Sequence, residues 1–269
     1  AAVVGMLLSP AGLAFQMIFS HPLVEPGFLG VSPGAAFRPP LWIGILGGAG
    51  RLVQGSAVLF GVVGLAFSYL LARRIRFGGW VLRLLLAGIA VSAFFSAGVG
   101  LLKYLADPLR QLPEITFWLL GGLWSITWRQ VLAAAPLFLA GLTVLLLMRW
   151  RLNLLALEDD VAVSLGIAAG RERLVLLLAA VTVTAASISI SGLIGWAGLI
   201  IPHLARRLVG ADASRTVPAA LLMGATFLIL CDDLGRTLLA GEIPLGILTS
   251  LLGALVFILL MTRPILPQS

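Results

Sequence analysis

The sequence predicts an all-α integral membrane protein, and three observations carry that prediction. Of 269 residues, 60% are hydrophobic and 11% charged, too little polar surface to coat a water-soluble globule. The mean hydropathy is +1.11. The apolar residues fall in runs of about 20, the length a helix needs to cross about 30 Å of hydrocarbon, separated by short polar knots. A closed barrel would need segments alternating polar and apolar, whereas these runs are continuously apolar and rich in Leu, Ala and Gly.

Along the chain, the runs predict spans at about 1–19, 29–50, 52–72, 80–102, 130–148, 173–191, 193–209, 217–238 and 244–262. Between the fourth and fifth, Ala106 to Thr127 is too polar and Pro-broken to cross and predicts a short surface helix. Alternating the spans puts Arg73, Arg74, Arg76, Arg149, Arg151, Arg171, Arg173, Arg206, Arg207, Arg215 and Arg263 on one side. The positive-inside rule makes that side cytoplasmic. Lys103, Arg110, Arg129 and Arg236 fall on the other. The net charge of +7 and pI near 11.2 therefore read as orientation signals and not as a nucleic-acid surface. Cys231 stands alone, which excludes an internal disulfide and a Cys-based metal site. No basic segment precedes the opening apolar run, so no cleavable signal peptide is evident. An odd number of spans that begins abruptly in an apolar run implies a preceding helix.

The loop after Met148 is the longest cytoplasmic one. Asn153 starts a short helix there, and Glu158, Asp159 and Asp160, before Val161, Leu165 and Ile167, suit a helix N-terminus until Gly166 and Gly170 break it. No catalytic constellation is visible. His21 and His203 lack a paired ligand pattern, and a His beside a Pro at a helix end reads as a capping or packing residue. No G-x-x-x-x-G-K-[ST] loop exists to bind ATP, so any driving energy comes from elsewhere.

Ionisable groups at membrane depth are more informative, because each costs several kcal/mol unless paired or hydrated. Asp232 and Asp233 lie four and three residues before Arg236, so both carboxylates can reach one guanidinium. They read either as a structural ion pair or as a device that fixes Arg236 for an acidic partner at the outer surface. Arg38, followed by Pro39 and Pro40, is either cavity-facing or the mark of an irregular span. Gly88, Ser92, Ser96 and Gly100 recur every four positions and suit close helix packing. Thr184, Ser187 and Ser191 either bond to their own backbone or line a polar pathway.

Four segments carry a family resemblance. His21-Pro22-Leu23-Val24-Glu25-Pro26-Gly27-Phe28-Leu29-Gly30-Val31-Ser32-Pro33-Gly34-Ala35 resembles N-P-L-A-x-P-x-x-L-G-[IV]-S-x-G-A. Asn153-Leu154-Leu155-Ala156-Leu157 with Ser164-Leu165-Gly166 resembles N-x-L-A-L-G-x-x-x-A-x-x-L-G. Gly195 to Arg206 resembles G-F-x-G-L-x-x-P-H-x-x-R, and Glu242 to Ile247 resembles E-[IL]-P-[IV]-G-[IV]. Together they are similar to the permeases of iron-siderophore, haem and vitamin B12 importers, the FecCD-type family of type II ABC importers. His21 replaces the usual Asn, Glu158 stands where Gly is usual, and Arg38 has no counterpart in the pattern.

The resemblance implies one transmembrane permease domain over 1–269 from a ten-helix bundle, with about nine of the helices present and the first missing. It implies a homodimer in a bacterial or archaeal plasma membrane, with the pathway between the copies. Two cytoplasmic ATPase subunits, which carry the ATP and Mg, would dock on a coupling loop at 152–166 through Asn153, Leu155, Leu157, Asp159, Asp160, Leu165 and Gly166. An extracytoplasmic binding protein would dock at Arg236 and Glu242. His21, Pro22, Leu29 and Ser32 would belong to the inner gate, and Ser92 and Ser96 to the route. No metal or cofactor is placed on this chain. The expected cargo is a metal chelate, Fe(III)-siderophore first, with haem, cobalamin and molybdate on the same scaffold. A rival of another class is an ion-driven secondary transporter with Asp232 and Asp233 as its proton site. An intramembrane enzyme lacks paired catalytic residues within a span.

Overall fold

The structure is a computed structural model that describes residues 1–46, 53–124, 126–157, 168–238 and 241–262. Among these, eleven α-helices and one 3-10 turn occur, and no strand. The order is α1 (Ala2–Ile18), the 3-10 turn (Pro26–Leu29), α2 (Val31–Leu46), α3 (Val53–Arg74), α4 (Trp80–Leu105), α5 (Gln111–Leu120) and α6 (Trp128–Leu147). It continues with α7 (Arg149–Leu155), α8 (Ala169–Ser191), α9 (Ala197–Val209), α10 (Ala213–Thr237) and α11 (Leu245–Thr262).

Each predicted span contains one of these helices, and α5 is the short helix expected within 106–127. Local chemistry sets several ends. Thr127 and Gln130 form a reciprocal capping box at α6. Asp212 caps α10 through the Ser214 N–H. Among the described residues, five helices are long and apolar enough to cross a membrane: α3, α4, α6, α8 and α10.

The seventh predicted span, 193–209, is corrected. Gly192 and Trp196 both take positive φ, 70° and 69°, so α8 ends and the chain runs without helix from Gly192 to Trp196 before α9 begins. At 13 residues α9 is about 20 Å long, too short to cross alone. In the second predicted span, α2 begins at Val31 after the 3-10 turn, and its described residues run to Leu46. Non-helical backbone survives at such places where protein covers it.

The core forms around α1, whose sequence is apolar on every side, the pattern of a helix enclosed by others. It packs against α8, α9 and α10. Two glycine pairs set that approach. A Cβ on Gly5 would stand 2.8 Å from the Ala225 backbone N, and one on Gly12 would stand 2.6 Å from the Gly198 Cα. Gln16, 3% exposed, donates to the Leu199 carbonyl at 3.1 Å and accepts from Arg206, which ties α1 to α9. α8 is the second interior helix, 67% of its span being buried against 17% for α6. α6 therefore stands on the perimeter, and exposed Leu132, Leu139 and Leu147 give it an apolar outer face suited to lipid.

Arg38 does not break its span. α2 runs through Pro39 and Pro40, and Arg38 is buried with its guanidinium 5.4 Å from the centre of the Trp42 ring.

Candidate functional site

The candidate residues gather in three places: a cavity within the bundle, a ledge at one end and an ion-pair cluster at the opposite end. The cavity is about 570 Å³ and lies between the 3-10 turn, the end of α5, α8 and the starts of α2, α9 and α11. Its wall is mostly apolar, with Glu25, Ser32, Thr184 and Ser250 as the polar exceptions. Of the gate residues read from the sequence, Ser32 lines it. Leu29 is buried beneath the turn, where its carbonyl accepts from Ser68 at 2.9 Å.

Ser92 holds the same turn from the far side, its hydroxyl donating to the Gly27 carbonyl at 3.2 Å, and Gly88 leaves room there for the Phe28 carbonyl. The packing role expected of this stripe stops there. Ser96 is exposed, and a Cβ on Gly100 would meet nothing within 4 Å. His21 serves as a turn cap, its Nδ1 accepting from the Leu23 N–H at 3.3 Å, with Pro22 exposed beside it. In the second stripe, Ser191 bonds back to the Ser187 carbonyl at 3.0 Å, while the buried hydroxyls of Thr184 and Ser187 have no hydrogen-bond partner among the described residues. Thr184 is one of the residues lining the cavity.

Sequence reasoning passed over Glu25, which occupied a variable position of its motif. Among the described lining residues it is the only ionisable one. A carboxylate inside an otherwise apolar segment was the available signal.

The ledge is α7, which turns off the end of α6 at Met148. Leu152 and Leu155 are fully buried and anchor it. Arg151 pairs with Glu172 of α8 at 2.8 Å, and Arg173 donates to the Leu155 carbonyl at 3.1 Å. One expectation is corrected here: Asn153 lies inside α7 and does not start a helix. Leu155, expected in the docking loop, is buried within this chain. Leu157 is exposed, while Asp159, Asp160, Leu165 and Gly166 lie outside the described residues.

Asn153 instead reaches 59 residues along the chain. Its Nδ2 donates to Asp212 Oδ1 at 2.7 Å, and its Oδ1 accepts from the Ala213 N–H at 2.8 Å. The bond from Asn153 and the Ser214 N–H together hold the Asp212 carboxyl below its ordinary 3.8. Asp212 therefore releases its proton more readily folded than unfolded, and the stabilisation is present above the unfolded value and lost as pH falls through the folded one. The melting temperature of the protein in detergent is expected to drop on acidification below about pH 4, and to drop less in Asn153→Ala. Equal drops in the two proteins would remove Asn153 as the cause.

At the opposite end, Arg236 Nε lies 3.2 Å from Asp232 and its Nη1 3.3 Å from Glu242. The pairing with Asp233 is corrected: among the described residues Arg236 pairs with Asp232 and Glu242, and Asp233 is exposed on another side of α10. Four residues bring a side chain back to nearly the same helix face, whereas the adjacent position is turned by about 100°. The Ile243 N–H donates to the Gly235 carbonyl at 3.0 Å and folds the Glu242 turn onto α10. Among the described residues, no group of three His, Cys, Asp or Glu gathers to hold a metal ion.

This architecture has known relatives. The chain is 40% identical over 257 residues to the molybdate import system permease protein MolB of Haemophilus influenzae, covering 96% of this chain and 76% of the relative. It is 40% identical over 267 residues to the hemin transport system permease protein HmuU of Yersinia pestis, covering 98% and 80%. A solved metal-chelate-type ABC transporter in an inward-facing conformation superposes with a TM-score of 0.90 at 39% identity, covering 98% of this chain and 85% of that one. Residues 1–263 match the FecCD transport family. With its apolar helices, its irregular breaks and its matching segments in one order, the chain belongs to the FecCD transport family of ABC transporter permeases and is a multi-pass membrane protein.

Proposed function

We propose that this chain is the permease of a binding-protein-dependent, ATP-driven importer, and that it moves a metal chelate into the cell across the plasma membrane. It works as a homodimer with two ATPase subunits on the cytoplasmic side, which carry ATP and Mg, and a binding protein outside. The permease performs no covalent chemistry. It offers alternating access, because nucleotide on the partner favours whichever arrangement of helices it fits better.

The observation that carries this reading is the placement of two exposed polar clusters at opposite ends of one helix. The α7 ledge meets the start of α10, and the Asp232–Arg236–Glu242 cluster occupies its far end. Fe(III)-siderophore is the first cargo, ahead of haem, cobalamin and molybdate. The cavity supports a chelate over a bare oxyanion, since its volume of about 570 Å³ and mostly apolar wall suit a large, partly organic cargo. Exposed Phe94, Leu101 and Tyr104 on α4, and Leu251, Leu255 and Leu259 on α11, provide apolar area for the second copy and for lipid.

Purification from the native membrane in mild detergent is expected to bring down a stoichiometric ATPase, and liposomes holding the complex to take up a ferric chelate only with internal ATP. Uptake that follows an ion gradient without ATP would sink this reading. Reversing Asp159 and Asp160 to Lys is expected to weaken ATPase association about tenfold or more, as charge reversal at a docking surface does. Undiminished association in a pull-down would take those residues out of the contact.

A further inference from the structure

Asn153 makes its side-chain hydrogen bonds within this chain. Both of its polar atoms are engaged by the start of α10, the amide N–H on the Asp212 carboxylate and the amide oxygen on the Ala213 N–H. The same Asp212 oxygen accepts from the Ser214 N–H at 2.9 Å, so one carboxylate oxygen joins the two elements. Thr216 closes the turn, donating to the Asp212 carbonyl at 2.7 Å and the Gly210 carbonyl at 2.8 Å. Next to it, the Arg151–Glu172 pair and the Arg173–Leu155 bond fasten α7 to the start of α8. A displacement of α7 therefore pulls on the first turn of α10.

From there α10 runs 25 residues, about 37 Å, without interruption. Pro218 sits early in the helix, and Gly224 is seated against Gly5 of α1. The helix ends in Arg236, held from its own turn by Asp232 and from the following turn by Glu242. A rigid helix fastened at both ends carries an axial shift or rotation from one membrane face to the other.

We propose that Asn153 and Asp212 form a coupling clamp that makes α10 the rod linking the ATPase-facing ledge to the outer Asp232–Arg236–Glu242 cluster. This rests on the importer reading above. Nucleotide on the cytoplasmic subunits then changes the affinity for the binding protein, and by linkage the binding protein changes nucleotide affinity equally. Asn153 and Asp212 are positioning residues, since neither need touch cargo or ATP.

The test uses the full complex in nanodiscs. Asn153→Asp sets two carboxylates against each other. The double variant Asn153→Asp with Asp212→Asn restores the side-chain bond between the two residues with donor and carboxylate exchanged, and gives up only the Ser214 N–H bond to the atom that now donates. In the wild type, ATP is expected to shift the binding-protein Kd by about tenfold, a typical coupling. N153D is expected to reduce that shift to about twofold or less, measured on complexes isolated with the ATPase at wild-type stoichiometry, and the exchanged pair to recover it. A merely structural role would lower the melting temperature without removing the nucleotide dependence. Nucleotide dependence unchanged in N153D, or no recovery in the exchanged pair at equal melting temperature, would overturn the clamp.

A second measurement needs no clamp variant. Leu238, just past α10, is 57% exposed, whereas Cys231 is buried, so Leu238→Cys accepts a spin label selectively. ATP is expected to change the label's distance to a second label on α5, and an unchanged distance would overturn the rod. Failure of the wild-type permease to bind any ATPase is a different result, which strikes the importer reading itself.

Discussion

Gly12→Ala is expected to destabilise the folded permease by about 3 kcal/mol, at the upper end for overpacking, and Gly12→Leu to leave no monodisperse protein after detergent extraction. The reason is the place of Gly12 in the central helix. A Cβ there would overlap the Gly198 carbonyl and stand 2.6 Å from the Gly198 Cα, which is backbone and not a side chain that can rotate aside. Gly198 has little freedom to retreat. It lies in the first turn of α9, directly after the left-handed Trp196, whose ring packs on Phe257 of α11. Four residues further along α1, Gln16 bonds to the same α9 backbone. A shift at Gly12 therefore breaks a buried hydrogen bond as well, adding about 1–3 kcal/mol for an unsatisfied group. Gly79→Ala is the control, since nothing lies within 4 Å of its Cβ position and its φ of −69° suits alanine. Melting followed by tryptophan fluorescence should leave Gly79→Ala within about 0.5 kcal/mol of wild type. A Gly12→Ala protein as stable as that control would refute the close approach.

Arg236→Glu is expected to raise the binding-protein Kd by about ten- to a hundredfold while changing the stability of the permease little. The two magnitudes separate because the pairs serve different ends. Arg236 is 45% exposed, so its pairs with Asp232 and Glu242 are surface ion pairs, each worth about 0.2–1 kcal/mol to the fold. Across an interface the same guanidinium, positioned by two carboxylates, meets a partner carboxylate with water excluded. Truncating one member of such a pair costs about 2–5 kcal/mol. Reversal also leaves three carboxylates together, so association should slow and become less sensitive to salt than in the wild type. Asp233→Asn should leave the Kd unchanged, because Asp233 takes no part in the cluster. Surface plasmon resonance at two ionic strengths reads all of this, and an unaltered Kd for Arg236→Glu would remove Arg236 from the docking surface.

The bundle was legible because apolar run length is a local property that a bilayer reads directly. The four motif segments were legible for the same reason, each being a short stretch whose residues act together. Expectations failed where a residue's partner lies elsewhere in the chain. Spacing allowed Asp232 and Asp233 equally, and the Glu242 turn that completes the cluster folds back only through the Ile243 bond. Asn153 has the composition of a helix start, yet its amide is taken by Asp212, a choice no local propensity encodes.

Composition and hydropathy alone dictate that this chain lives in a membrane as helices, since desolvating a backbone polar group or a charge in hydrocarbon is prohibitive wherever it occurs. Which helices lie inside came only from the folded arrangement. α1 and α8 are enclosed while equally apolar α6 stands on the perimeter, and hydropathy cannot separate lipid from protein as the apolar neighbour. The break at Gly192–Trp196, the carboxylate of Glu25 at the cavity and the Asn153–Asp212 clamp were likewise decided by packing. Inside a bilayer the apolar surface is satisfied almost anywhere, whereas each polar group must find its partner in three dimensions.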